Sequence, residues 1–318
     1  MNQPAIQTLN LVRRYGKHIA VNNLNLSIEP GTIYGFIGPN GAGKTTTMRM
    51  LAGLLEPTSG TVTLNGRELR RNGQIAHRMV GYMPDFFGVY DDLRVWEYLD
   101  FYARCHNIDG AQRRTTVDGL LDLVDLSAKR EAFVQHLSRG MQQRLCLAHA
   151  LVHDPPILLL DEPASGLDPQ ARIELRELLR TLRDMGKTII LSSHILTELQ
   201  DICTDVGIIA NGRLLASGPL DDLQRAGTQK LRIRLLDDVE RAARLLAAQD
   251  GVKVVHPPDE NAPTTLVVDF EGDDERAAAI LAGLARAELN VADFHREDDN
   301  LELLFLRLVN GEPVEEAV

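Results

Sequence analysis

Along the first 220 residues the apolar positions follow two alternating patterns. Short runs rich in β-branched and aliphatic residues (TIYGFIG at 32–38, PILLLD at 156–161, KTIILSS at 187–193) alternate with longer stretches in which apolar residues recur at helical spacing. Strands alternating with helices predict an α/β layer architecture built on a mostly parallel sheet. The opening stretch differs, because AIQTLNLVRRY and LNLSIEPG alternate apolar with polar residues and predict antiparallel strands laid against that sheet. Turns at Asn65-Gly66, Asn211-Gly212 and Ser217-Gly218-Pro219 are expected to punctuate later strand pairs. From about residue 228 the pattern restarts as strand (KLRIRLL), helix (VERAARLLAAQ), strand (VKVVH), Pro-rich turn, strand (TTLVVDF), helix (ERAAAILAGLARA), strand (NVADFHR) and a last helix near LELLFLRLV. That order predicts a small ferredoxin-like α+β domain over 228–318, following a large domain over 1–227.

Composition narrows the function classes. The apolar runs fall well short of the ~18 to 20 residues that span a bilayer, and no basic-then-apolar leader opens the chain, so neither insertion nor secretion is expected. Cys105, Cys146 and Cys203 are widely spaced without a CxxC pair, which points away from a disulfide framework or zinc site and towards a reducing cytoplasm. Of the net charge of −11, residues 228–318 contribute −10, from 20 acidic and 10 basic side chains. An acidic C-terminal part argues against nucleic acid as a partner, since phosphate binding needs concentrated Lys and Arg.

One segment carries specific chemistry. GPNGAGKTT, between the predicted strand TIYGFI and the helix TTTMRMLAGLL, fits G-x-x-x-x-G-K-[ST] with Gly38, Gly43, Lys44 and Thr45. Gly38, Pro39, Asn40, Gly41, Ala42, Gly43 and Thr46 complete a loop whose backbone N–H groups turn inward and meet phosphates at a helix N-terminus. Lys44 is expected to neutralise the β and γ phosphates, and Thr45 to place its hydroxyl on Mg²⁺. PPILLLDEP ends a buried-looking strand with Asp161 and Glu162, which strand alternation sends in different directions. In a phosphate-loop enzyme Asp161 suits the Mg²⁺ shell, through a water, and Glu162 can accept a proton from an attacking water. Without the loop, the pair would read first as an ordinary acidic turn at a strand end, and the loop reverses that preference. His194 follows KTIILSS at the strand's C-terminal end, where ligands sit in parallel sheets, although a lone histidine there is commonly just solvated.

At HLSRGMQQRLCLAHALVHDP the chain resembles the ATP-binding cassette family: Leu137, Ser138, Arg139, Gly140 and Met141 are similar to its LSGGQ signature, and SGLD at 165–168 to its D-loop. Over residues 1–220 the resemblance makes Tyr15 the aromatic that stacks on adenine, puts Asp85 at the Q-loop position and matches His194 to the switch histidine. It implies ATP and Mg²⁺ as ligands, with Thr45, Asp161 and Asp85 around the metal. It also implies a helical subdomain over about 86–150 and a dimer in which Ser138 and Gly140 of one cassette face the γ-phosphate held by the other. A homodimer is the simplest pairing, and a related second subunit stays open. The C-terminal extension and phrases such as EPASGLDP look like drug-type exporter subunits, cytoplasmic and peripheral, which contact the membrane through a separate integral-membrane permease. The accessory domain then serves dimerisation or regulation.

The sequence departs from the family at three points. Arg139 and Met141 replace a commoner Gly and Gln, and Asp85 replaces a Gln, adding a negative charge near the phosphates. Eight of the fifteen aromatics (Tyr82, Phe86, Phe87, Tyr90, Trp96, Tyr98, Phe101, Tyr102) lie just around the Q-loop position, where they serve either the subdomain core or a groove for the membrane subunit. His149 and His153 have zinc-compatible i, i+4 spacing but no third ligand in sight. Two rival readings are a soluble cassette ATPase of translation or DNA repair, which would need a second phosphate loop or long heptad arms, and a regulatory subunit that does not hydrolyse ATP. ATPase measurement separates the last from the first.

Overall fold

The computed structural model describes residues 3–69, 74–86, 88, 92–195, 197–225, 229–258 and 262–297. The chain divides into two compact units, 1–220 and 221–318.

In the first unit the elements run β1 (Ile6–Tyr15), β2 (His18–Ile28), β3 (Ile33–Ile37), α1 (Lys44–Leu51), β4 (Ser59–Leu64), β5 (Arg67–Glu68), α2 (Gln74–Met79), β6 (Val80–Met83), α3 (Val95–Cys105), α4 (Gly110–Leu123), α5 (Arg139–Leu151), β7 (Ile157–Leu160), α6 (Pro169–Asp184), β8 (Thr188–Ser193), α7 (Thr197–Gln200), β9 (Asp205–Ala210) and β10 (Arg213–Pro219). The principal sheet has the order β10-β9-β3-β8-β7-β6 and is parallel except at β9/β10. Its inner strands β3, β7 and β8 are buried at every residue, as their unbroken apolar character requires. The opening strands form a second, antiparallel sheet, β2-β1-β4-β5. Met48, Met50 and Leu51 of α1 join Leu11, Leu24 and Leu64 of this sheet and Phe36, Leu159 and Ile190 of the other in one core. Each such side chain contributes about 1.5–3 kcal/mol on burial, so the helix behind the Gly-rich loop is anchored from both sides.

Asn65-Gly66 and Asn211-Gly212 make two-residue hairpin turns, with φ of 44° and 73° and of 51° and 75°. Ser217-Gly218-Pro219 is not a turn: these residues stay paired with Gly207, Val206 and Asp205 of β9. β10 is an edge strand, so a proline lacking N–H is tolerated at its end.

Helices α3, α4 and α5 cluster around buried Tyr98, Leu99, Ala103, Leu121 and Leu145. The aromatics around the Q-loop position divide: Tyr98 is buried, Trp96 half-buried under the Arg130 guanidinium, and Phe86 and Phe101 exposed, whereas Phe87 and Tyr90 lie outside the described residues. His149 stacks on Tyr102 at 3.6 Å, and His153 stacks on His106 at 4.1 Å, which in turn stacks on His77 at 4.9 Å. The two imidazoles are thus engaged in ring packing, and the described residues contain no group of three or more His, Cys, Asp or Glu placed to hold a metal ion.

In the second unit, α8 (Leu220–Arg225) precedes β11 (Gln229–Leu235), α9 (Val239–Leu246), β12 (Val252–His256), β13 (Thr265–Phe270), α10 (Asp274–Arg286) and β14 (Val291–Glu297). The strands form an antiparallel sheet ordered β12-β13-β11-β14, the ferredoxin-like arrangement. Alternating residues of β11 and β13 (Leu231, Ile233, Leu235, Leu266, Val268, Phe270) meet Leu246, Ile280 and Leu284 of the two long helices. The helix expected near LELLFLRLV lies outside the described residues.

The histidine stack makes the first unit sensitive to acid. Burial, then the neighbouring His106, pushes the imidazoles of His149 and His153 down to about 4. Both are neutral in the folded chain, while the unfolded chain protonates them at the ordinary histidine value near 6.5. Their contribution is therefore complete above pH 6.5 and is lost as the pH falls from there towards 4. Denaturant melts between pH 7 and 4 should show a loss of about 2 kcal/mol from this pair, allowing for partial solvent exposure. His149→Phe, which keeps a ring against Tyr102, should remove about half of that loss.

Candidate nucleotide site

Strands β3, β8 and β7 are adjacent and parallel, with Ile37 opposite Ser193 and Leu160 opposite Leu191, so their carboxyl ends open on one edge. Ligands collect at such an edge because the loops leaving it are not paired. Three chain segments converge there: the Gly-rich loop after β3, the acidic turn after β7 and His194 after β8.

The loop's glycines answer to its surroundings as well as to a ligand. A Cβ on Gly38 would come within 2.3 Å of the Ile209 carbonyl, and one on Gly43 within 2.5 Å of the Ala20 carbonyl. Gly43 also caps α1 at φ 110°, which L-residues rarely adopt, while Gly41 at φ 82° faces open space. The first-turn amides of α1 have no intrahelical acceptor, so the loop and helix end present donors and the positive end of a helix dipole. Thr45 is exposed on that turn, with Thr46 half-buried beside it. Pro39 and Asn40 are partly and fully exposed, Ala42 is buried, and Ala42 N donates to Pro39 O at 3.1 Å.

Lys44 is buried, and its Nζ donates to the Gly38 carbonyl at 2.6 Å and lies 3.5 Å from Glu162 Oε1. Glu162 Oε2 meets His194 Nδ1 at 2.9 Å, so the carboxylate sits between an ammonium and an imidazole. Asp161 is 1 % exposed; its Oδ1 accepts from Ser192 Oγ at 2.6 Å, and its Oδ2 is buried with no hydrogen-bond partner among the described residues. A buried carboxylate oxygen left so is costly unless a cation or donor completes it, which suits a metal-bound ligand. Glu162 N donates to the same Ser192 Oγ at 3.0 Å.

One detail differs from the sequence-based expectation. β7 ends at Leu160, and Glu162 has φ 52°, so the carboxylates diverge through a left-handed turn rather than by strand alternation. β8 lies between β7 and β3 and reaches the acidic turn through Ser192. Ser192 was not singled out from the sequence. Its signal there is only its place two residues before His194, beside Ser193 at the end of a buried strand.

The other expected residues stand apart from this cluster. Tyr15 ends β1, half exposed, with the Arg13 guanidinium 4.6 Å above its ring. Asp85 is exposed just beyond β6, whose Met83 carbonyl accepts from Asp161 N. Ser138 caps α5, its Oγ accepting from Met141 N at 3.3 Å, with Gly140 in the first turn.

Comparison with known proteins agrees with this geometry. Residues 21–165 match the family described as ABC transporter. The chain is 41% identical over 218 residues to Nod factor export ATP-binding protein I of Cupriavidus metallidurans, covering 69% of this chain and 72% of that one. It is 40% identical to bacitracin transport ATP-binding protein BcrA of Bacillus licheniformis, over 73% of this chain and 75% of that one. The daunorubicin/doxorubicin resistance ATP-binding protein DrrA of Streptomyces peucetius is 34% identical over 98% of this chain and 94% of its own, so that likeness runs through the C-terminal unit. Among solved structures, an ATP-binding subunit of an ABC transporter superposes with TM-score 0.63 at 31% identity, over 70% of this chain and 92% of that one. A dimeric bacterial ABC transporter cassette gives TM-score 0.61 at 25% identity, over 68% and 98%. With a phosphate loop, acidic turn and histidine gathered at one strand edge, and with such relatives, the chain belongs to the ABC transporter family as one of its ATP-binding, ATP-hydrolysing subunits.

Proposed function

We propose that the chain binds Mg-ATP at this edge, hydrolyses it as half of a dimer, and drives a separate integral-membrane permease of exporter type from the cytoplasmic face. The observation that carries this reading is the Lys44–Glu162–His194 cluster beside the buried, half-satisfied Asp161. Export follows the relatives, which are named for Nod factor export, bacitracin transport and daunorubicin/doxorubicin resistance. Among the described residues no helix is long and apolar enough to cross a membrane, which fits peripheral attachment through a permease.

Each group then has a task. Tyr15 stacks on adenine, and the amides of residues 38–46 with Lys44 Nζ hold the phosphates in place of the loop carbonyl and Glu162 that Lys44 now meets. Thr45, Asp161 and Asp85 would hold Mg²⁺, which would supply charge neutralisation on the phosphates when bound. Glu162 accepts the proton of the water that attacks the γ-phosphate in line, and His194 orients that carboxylate and contacts the γ-phosphate. Ser138 and Gly140 present the head of α5 to the nucleotide of the partner cassette. Residues 86–150 act as the helical subdomain that receives the permease, and residues 228–318 serve dimerisation or regulation.

Glu162→Gln should lower ATP turnover by about 100-fold or more while ATP binding and ATP-driven dimerisation persist; retained turnover excludes Glu162 as the base. Ser192→Ala removes two buried hydrogen bonds and should cost about 1–3 kcal/mol of stability, read as a lower melting temperature, together with a fall in kcat. Asp85→Gln should raise turnover and relax its Mg²⁺ requirement, measured by titrating Mg²⁺ at fixed ATP, because it removes a negative charge beside the phosphates.

A further inference from the structure

Arg139 is the least expected residue of the signature stretch, and its side chain has a definite seat. It opens α5 directly after the Ser138 cap. A cation at a helix N-terminus opposes the helix dipole, so its placement there breaks a local rule. The guanidinium lies over Gly166: a Cβ built on that glycine would come within 2.5 Å of Arg139 Cζ, 2.6 Å of Nη1 and 2.9 Å of Nη2. Three nearly equal distances set the guanidinium plane face-on to the Gly166 Cα, in the space a side chain would fill. Gly166 also has φ 68°, in the left-handed region.

Two further contacts fall on the same face of α5. Gln143 Nε2 donates to the Ser165 carbonyl at 3.1 Å, and the Gly140 Cα is close enough that a Cβ there would touch Leu167 Cδ2 at 3.4 Å. Positions 139, 140 and 143 thus lie against the loop 165–167, Gln143 through a hydrogen bond. The loop is tied at both ends as well, because Ser165 N donates to the Glu162 carbonyl at 3.1 Å and Asp168 caps α6 by accepting from Ala171 N at 2.8 Å.

We propose that Arg139 is a positioning residue for hydrolysis, whose guanidinium clamps the 165–168 loop onto the head of α5 so that the signature helix and Glu162 of the same chain move as one body. The functional consequence rests on the dimer reading above: a signature engaged by the partner's nucleotide then bears on the chain's own base through three residues of loop. With glycine at position 139, the contacts of Gln143 and Leu167 would remain between the loop and the head of α5.

The test compares the full chain with Arg139→Gly, Arg139→Met and Arg139→Lys. Backbone hydrogen exchange over residues 163–168, without nucleotide, should quicken by about threefold to tenfold in Arg139→Gly and Arg139→Met. Lysine keeps the charge but has no flat fork, so Arg139→Lys should restore little of the protection. Steady-state ATPase in the Gly and Met variants should show kcat lowered by about threefold to tenfold with KM within about twofold. Unchanged exchange overturns the clamp, as does unchanged kcat despite faster exchange. A KM rise with unchanged exchange, rescued by lysine, would instead make Arg139 a contact to the nucleotide. If Arg139→Gly fails to fold, Arg139→Met carries the same comparison. Absence of ATPase activity in the unaltered chain would sink the hydrolytic reading, while the exchange measurement would still decide the clamp.

Discussion

A single buried hydroxyl ties the site together. Ser192 Oγ donates to Asp161 and accepts from the Glu162 amide, and it stands on the strand that separates the phosphate loop's strand from the acidic turn's strand. Ser192 is wholly buried, so neither bond can be exchanged for one to water, and both neighbours are held to the register of the central sheet. The acidic turn needs that hold, since Glu162 occupies a left-handed conformation costing about 1–3 kcal/mol that persists only when its surroundings over-determine it. The hydrogen bond to its amide, its ion pair to Lys44 and its hydrogen bond with His194 are those surroundings.

The parts of the fold that could be read in the sequence are those governed by local rules. Unbroken apolar runs gave inner strands, alternation gave the antiparallel sheet, and two Asn-Gly pairs gave hairpin turns with positive φ at both residues. Misreadings arose where tertiary placement decides. Ser217-Gly218-Pro219 has turn chemistry, yet remains strand because β10 lies at an edge. Asp161 and Glu162 were legible as a pair, but not the turn that parts them, since backbone φ is fixed by the Ser192 contact across the sheet. Ser192 itself has no motif of its own, and a serine at the end of a buried strand is compatible with many roles.

Legibility in the site follows the same division. The phosphate loop is a local device, a turn feeding a helix, so residues 38–46 could be named from their order alone. The roles of Gly38 and Gly43 were only half visible: the left-handed bend at Gly43 is local, but the close approach of both to Ile209 and Ala20 comes from strands distant in sequence. Arg139 shows the same limit, for the sequence marks it as a departure and only the fold shows Gly166 beneath it.

Charge explains why the site must change its pairing when nucleotide enters. Asp161 and Glu162 lie at the strand edge with Lys44, whose ammonium meets the Gly38 carbonyl and Glu162. A triphosphate adds further negative charge to a site already acidic, so ATP alone would meet carboxylates as well as amides. On the proposed reading, a divalent cation between phosphates and Asp161 would remove that conflict, and the Oδ2 that has no hydrogen-bond partner among the described residues would give it a place to act. Lys44 would then turn from Glu162 to the phosphates, leaving the carboxylate with His194 and free to take a proton from water. The pairing between Lys44 and Glu162 before nucleotide arrives would thus be the one that nucleotide breaks for Glu162 to act as a base.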